Sequence, residues 1–184
     1  MSEASRLLNL KKLGQSVWYD NISRELLLSG GLKEILGWGV VGLTSNPSIF
    51  EKAISSSNIY DSDIQSMKDR KYSDIEVFEK LAIEDIQNAA DLLSDTYRST
   101  EGQNGYVSLE VNPHLANDTK GTIGEAKRLY SEVDRQNLMI KVPATKAGIP
   151  AIHELISVGI SVNVTLIFSV KMYDLVREAY ISGL

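Results

Sequence analysis

An α/β fold with a parallel sheet is what this sequence predicts, and three observations carry that reading. Five short apolar runs alternate with segments whose apolar residues recur at helical spacing. The stretches between runs suit helical crossovers, which parallel neighbours require. In every run a polar residue lies near the C-terminal end, on the face opposite the most apolar side chains.

After an amphipathic opening with Leu7, Leu8, Leu10 and Leu13, residues 16–20 read as the first strand. Residues 22–37 are predicted helical, with Ile22, Leu26, Leu27, Leu32, Ile35 and Leu36 on the apolar side; Gly30-Gly31 weakens the middle and can split it. The second strand, 40–46, is stopped by Pro47. Helices are predicted over 57–70 and 73–95. The latter opens on Ser73 and Glu76, a spacing that lets each side chain satisfy a free amide of the first turn. Ile75, Phe78, Leu81, Ala82, Ile86, Ala89 and Leu93 then follow at helical spacing.

The third strand, 105–111, ends at Asn112-Pro113. A helix is predicted from about Thr122, again with a T-x-x-E start at Glu125 and with Ile123, Ala126, Leu129, Tyr130 and Val133 on one side. Residues 138–145 hold the fourth strand. Pro150 suits the first turn of the next helix, and Gly159 its end. The fifth strand is predicted over 160–168, and Ser169 caps a last helix, 170–182, with Val170, Tyr173, Leu175 and Val176 apolar.

This order fits an open doubly wound sheet or a (β/α)₈ barrel. The pleat separates the two. Val17, Tyr19, Val41, Leu43, Val107, Leu109, Val111, Ile140, Val142, Val162, Val164, Leu166 and Phe168 form an apolar set suited to a helix-covered face. The opposite set is Asp20, Thr44, Asn46, Ser108, Glu110, Lys141, Asn163 and Thr165. Polar groups gathered at the C-terminal strand ends are the arrangement of barrel enzymes.

Lys141 stands out, because an ammonium inside an apolar run is costly to bury. A neutral amine is also what attack on a carbonyl requires. The alternative, an edge-strand lysine that discourages aggregation, fits poorly with a strand that has neighbours on both sides.

Composition narrows the partners. An apolar fraction of 43% and a charged fraction of 23% are those of a soluble globular protein. A net charge of −5 argues against nucleic acid and anionic membranes as partners. Without cysteine there is no disulfide, thiolate metal site or cysteine nucleophile. His114 and His153 lack metal-site spacing and read as structural or surface residues. The first six residues lack the apolar core of a signal peptide, so a cytoplasmic location is expected.

Gly42-Leu43-Thr44-Ser45-Asn46-Pro47-Ser48-Ile49-Phe50-Glu51-Lys52-Ala53-Ile54 closely resembles the second-strand motif of the transaldolases. Val107-Ser108-Leu109-Glu110-Val111, Met139-Ile140-Lys141-Val142-Pro143-Ala144-Thr145 and Asn163-Val164-Thr165-Leu166-Ile167-Phe168-Ser169 are similar to the third, fourth and fifth. Trp18-Tyr19-Asp20-Asn21-Ile22 resembles the longer bacterial and plant-like branch, some of whose members are fused to a phosphoglucose isomerase. The resemblance implies a class I mechanism without metal or cofactor. In it a dihydroxyacetone unit passes from sedoheptulose 7-phosphate or fructose 6-phosphate to an aldose phosphate, in the pentose phosphate pathway.

By the same resemblance Lys141 forms the Schiff base and Asp20 takes and returns the proton of the C4 hydroxyl. Glu110 and Thr165 hold the water of carbinolamine chemistry, and Thr44, Asn46 and Asn163 surround the dihydroxyacetone unit. Full barrels need about 250 residues, and five strand–helix units are legible here. The expectation is therefore one C-terminally incomplete domain over residues 1–184, a partial (β/α)₈ barrel that is inactive alone. The family's phosphate-holding serine and arginines have no counterpart in it. Sugar phosphates are the expected partners, with self-association or pairing through uncovered barrel edges. Another Schiff-base aldolase, or a non-catalytic fragment acting in assembly, are the alternatives.

Overall fold

All five predicted strands form, most of them shorter than their apolar runs: β1 (Val17–Tyr19), β2 (Val40–Thr44), β3 (Tyr106–Glu110), β4 (Leu138–Pro143) and β5 (Val162–Thr165). The computed structural model describes residues 3–184, with side chains from Arg6 onward. Of the opening six residues, Met1 and Ser2 therefore lie outside the described part. The chain divides into two compact units, Met1–Val107 and Ser108–Leu184, with the boundary inside β3.

In the first unit β1 runs parallel to β2, pairing Trp18 with Gly42 and Tyr19 with Leu43. The amide of Gly105, just before β3, donates to the Val41 carbonyl at 2.7 Å. Gly42 is glycine for a visible reason: a Cβ there would stand 2.5 Å from the Trp18 indole. Helix α1 (Glu3–Lys12) precedes β1. The helical stretch after β1 does split, into α2 (Arg24–Leu28) and α3 (Gly31–Gly37), and Gly30 supplies the left-handed turn at φ +82°.

Pro47 does more than stop β2. It opens α4 (Pro47–Ser55), a helix absent from the sequence prediction, with Asn46 as its cap. A short 3₁₀ turn, Asn58–Tyr60, leads into α5 (Asp61–Asp69). The long α6 (Asp74–Ser99) starts with the predicted reciprocal cap: Ser73 N–H donates to Glu76 Oε2 at 2.8 Å, and Glu76 N–H to Ser73 Oγ at 3.3 Å. Leu81, Ile86, Ala89, Ala90 and Leu93 are fully buried along it. Ile75, assigned to the same stripe, is 80% exposed, because Val77 begins the inward-facing turn.

In the second unit β3, β4 and β5 follow in order. Val111 N–H donates to the Lys141 carbonyl, and β4 pairs in parallel with β5. Helix α7 (Thr119–Val133) starts earlier than predicted. Asp118 caps it by accepting from Gly121 N–H at 3.0 Å, and Thr122 is buried, donating to the Leu115 carbonyl. Helix α8 (Gly148–Ser157) carries Pro150 in its first turn, and Gly159 follows it at φ +82°.

Strand β5 ends at Thr165, not at residue 168. Leu166 turns into the left-handed region at φ +63°, leaving Leu166 and Phe168 exposed and outside the apolar face assigned to them. Ser169 caps α9 (Val170–Gly183) as predicted, accepting from Met172 N–H. Its buried side is Ala179 and Gly183, where Gly183 comes close to the His153 carbonyl of α8; Val170, Tyr173 and Leu175 are exposed.

Within each unit chain order is spatial order, without the reversal that marks a doubly wound sheet. Parallel strands alternating with helices in this way form the first five units of a (β/α)₈ barrel, an α/β fold. No helix among the described residues is long and apolar enough to cross a membrane.

Candidate active site

The pleat of β4 turns Lys141 to the same side as Pro143, and parallel pairing sets these beside Asn163 and Thr165 of β5. On β3, Ser108 and Glu110 share a face by the same two-residue period. Lys141 is buried, its side chain 10% exposed, and its Nζ lies 3.6 Å from Glu110 Oε2. Glu110 is partly open to solvent.

Asn163 donates its amide to Ser108 Oγ at 3.1 Å, although the strand carrying Lys141 lies between theirs. Strands two apart in a flat sheet are separated by roughly 9–10 Å, too far for these short side chains to meet. The β3–β5 sheet must therefore curl, concave on the face that carries Lys141. Thr165 stands one residue pair further along, opposite Pro143, and its carbonyl accepts from Ala144 N–H at 2.8 Å.

The other candidates lie in the first unit, each at the C-terminal end of its strand. Asp20 follows β1 directly and is exposed. With Asn21, Lys52, Ser56 and Tyr60 it lines a cavity of about 380 Å³ between the β1–α2 loop and α4. Thr44 ends β2 with its hydroxyl oxygen buried and without a hydrogen-bond partner among the described residues. Such a group calls for a ligand or water. Asn46 Oδ1 accepts from Ile49 N–H at 2.9 Å as the α4 cap, so its acceptor is committed to the fold and its amide N–H₂ is the donor left to a ligand. Structure thus brings Lys141, Glu110, Asn163 and Ser108 into one cluster in the second unit, and sets Asp20, Thr44 and Asn46 at strand ends of the first.

Two features escaped the sequence. Ser108 was on the polar face by parity, but nothing local announced its bond to Asn163. Arg24 gave no signal at all, yet it is 7% exposed and sits among three carboxylates. His114 and His153 are both exposed, with His153 Nδ1 3.0 Å from Ser182 Oγ.

The pattern of the Transaldolase/Fructose-6-phosphate aldolase family matches residues 17–183. The chain belongs to that family. The matched span takes in every candidate residue from Asp20 to Thr165. A transaldolase of Trichodesmium erythraeum is 49% identical over 181 residues, covering 98% of this chain and 48% of that protein. Transaldolase 2 of a Nostoc species is 48% identical over the same shares. A transaldolase of Mycolicibacterium smegmatis is 45% identical over 100% of this chain and 50% of its own length. The chain spans about half the length of the curated relatives it matches.

Proposed function

We propose that this chain carries the Schiff-base centre of a transaldolase. The Lys141 amine attacks the C2 carbonyl of a ketose phosphate, and loss of water from the carbinolamine gives a protonated imine. Glu110, with Thr165, holds the water and moves the proton of that step. Asp20 removes the proton of the C4 hydroxyl. The C3–C4 bond then breaks, its electrons pass into the iminium, and an aldose phosphate leaves. The enamine that remains attacks the acceptor aldehyde, Asp20 returns the proton, and hydrolysis frees Lys141.

Thr44, Asn46 and Asn163 hold the hydroxyls of the three-carbon unit, Asn46 as a donor. The overall reaction is sedoheptulose 7-phosphate plus glyceraldehyde 3-phosphate to erythrose 4-phosphate plus fructose 6-phosphate. It needs no metal or cofactor, and the proposed setting is the cytoplasmic pentose phosphate pathway.

The observation that carries this reading is a buried lysine 3.6 Å from a carboxylate, at the centre of a strand face, in a member of this family. Borohydride reduction in the presence of fructose 6-phosphate tests it. The expected result is a covalent adduct on the peptide containing Lys141, lost in Lys141→Ala. Absence of an adduct, or one on another lysine, overturns the assignment. The family description also names an aldolase. Dependence of fructose 6-phosphate consumption on erythrose 4-phosphate distinguishes transfer from simple cleavage.

A further inference from the structure

The short connection at residues 20–23 joins β1 to α2 without regular structure and begins with Asp20. One end is held by β1 on β2. The other is held by a closed hydrogen-bonded ring that runs through the helical layer. Arg24 N–H donates to Tyr60 Oη at 2.8 Å, Tyr60 Oη donates to Asp85 Oδ2 at 2.8 Å, and Arg24 Nε donates to Asp85 Oδ1 at 2.9 Å. The guanidinium also donates to Glu84 Oε2 at 2.8 Å and to Asp63, and it lies over the Tyr60 ring, 4.7 Å from the centroid. Tyr60 is 1% exposed and Asp85 fully buried.

Packing alone does not call for this arrangement. Apolar residues of similar volume would join α2 to α6 without the cost of burying charge, and they are often the more stable choice. What a ring of directed bonds adds is position. It holds a backbone amide of the first turn of α2 as well as a side chain, and so fixes where the preceding loop ends. Tyr60 also lines the cavity that Asp20 lines, so the ring reaches the wall beside the carboxylate.

We propose that Tyr60 and Arg24 are positioning residues that fix the β1–α2 loop and thereby the Asp20 carboxylate. This rests on the reading of Asp20 as the group that handles the C4 proton. Two variants test it: Tyr60→Phe, which keeps the ring and removes the hydroxyl, and Arg24→Lys, which keeps the charge and removes the fork. The first readout is amide exchange. In both variants exchange at residues 21–24 rises by about tenfold, the scale of one lost hydrogen bond, while residues 81–93 of α6 stay protected.

The second readout separates two chemical steps within a single cleavage event on fructose 6-phosphate, since steady transfer is not expected of this chain alone. Imine trapped at Lys141 is unchanged, whereas release of glyceraldehyde 3-phosphate, which needs Asp20, falls. Unchanged exchange at 21–24 in Tyr60→Phe overturns the proposal. So does equal loss of protection in α6, which marks a general packing role, or equal loss of both chemical steps. A wild-type chain that traps no imine overturns the functional reading instead, and exchange still decides whether the ring holds the loop.

Discussion

Arg24 and Lys141 are both basic side chains withdrawn from water beside carboxylates, yet their surroundings differ in kind. Arg24 meets Asp85 and Glu84 at hydrogen-bond distances, with Asp63 and the face of Tyr60 completing its shell. Burial opposes its charge, and Asp85, Asp63 and Glu84 more than offset that, so its pKa rises further above the ordinary arginine value. Burial likewise lifts the Asp85 carboxyl and the Tyr60 phenol above their usual ranges. Lys141 faces Glu110 at 3.6 Å, beyond a good hydrogen bond. A guanidinium stays charged and suits a rigid fork, whereas an amine can lose its proton and react. The first site is built to hold still; the second, in the proposed function, is the one that reacts.

If that contrast is right, the two sites will respond differently to loss of charge. The largest effect belongs to Asp85→Ala, which leaves Arg24 buried without its one fully buried carboxylate partner. Folding stability falls by about 3–5 kcal/mol in urea titration, and a loss below about 1 kcal/mol breaks the comparison.

Lys141→Met sharpens it from the other side. Methionine suits the apolar strand, and Glu110 keeps access to water, so stability changes by about 1 kcal/mol or less in either direction. Imine trapping disappears. A change in stability as large as that of Asp85→Ala makes Lys141 a structural cation.

The smallest effect is at the exposed cap of α6, where the Ser73 hydroxyl and amide hold the Glu76 carboxyl below its ordinary value of 4.5. Its contribution is therefore full above that ordinary value and is lost as pH falls through the lowered one. Amide exchange at residues 74–77 rises on acidification across that window, whereas the Asp85 carboxyl, lifted by burial, takes up its proton at higher pH. Exchange at 74–77 that stays flat through the window removes the cap's contribution.

The legible parts of this molecule are those with local causes. Strand centres, the Gly30 break, the Ser73–Glu76 cap and the Ser169 cap follow from residues a few positions apart. Parity alone placed Lys141, Glu110 and Asn163 on polar strand faces. Helix α4 has a local cause too, since proline both ends a strand and fits the first position of a helix, and Pro47 does both. The apolar run of strand five outlasts the strand itself, because apolarity does not reveal that Leu166 takes a left-handed backbone. The ring around Arg24 was out of reach in principle. Its partners lie 36 to 61 residues away, and only the packing of α2 against the 3₁₀ turn, α5 and α6 brings them together.

Asn46 follows one strand and caps the next helix through its Oδ1, and the proposed function gives its amide N–H₂ a second task. Serine, threonine or aspartate would cap α4 as well, but none carries an amide donor for the proposed substrate contact. Glutamine carries the donor and is not among the preferred caps. Asparagine supplies both the cap acceptor and, in the proposed function, an amide donor, so a change here can affect fold and chemistry together, and Asn46→Asp, which keeps the cap and removes the donor, is the substitution that separates them.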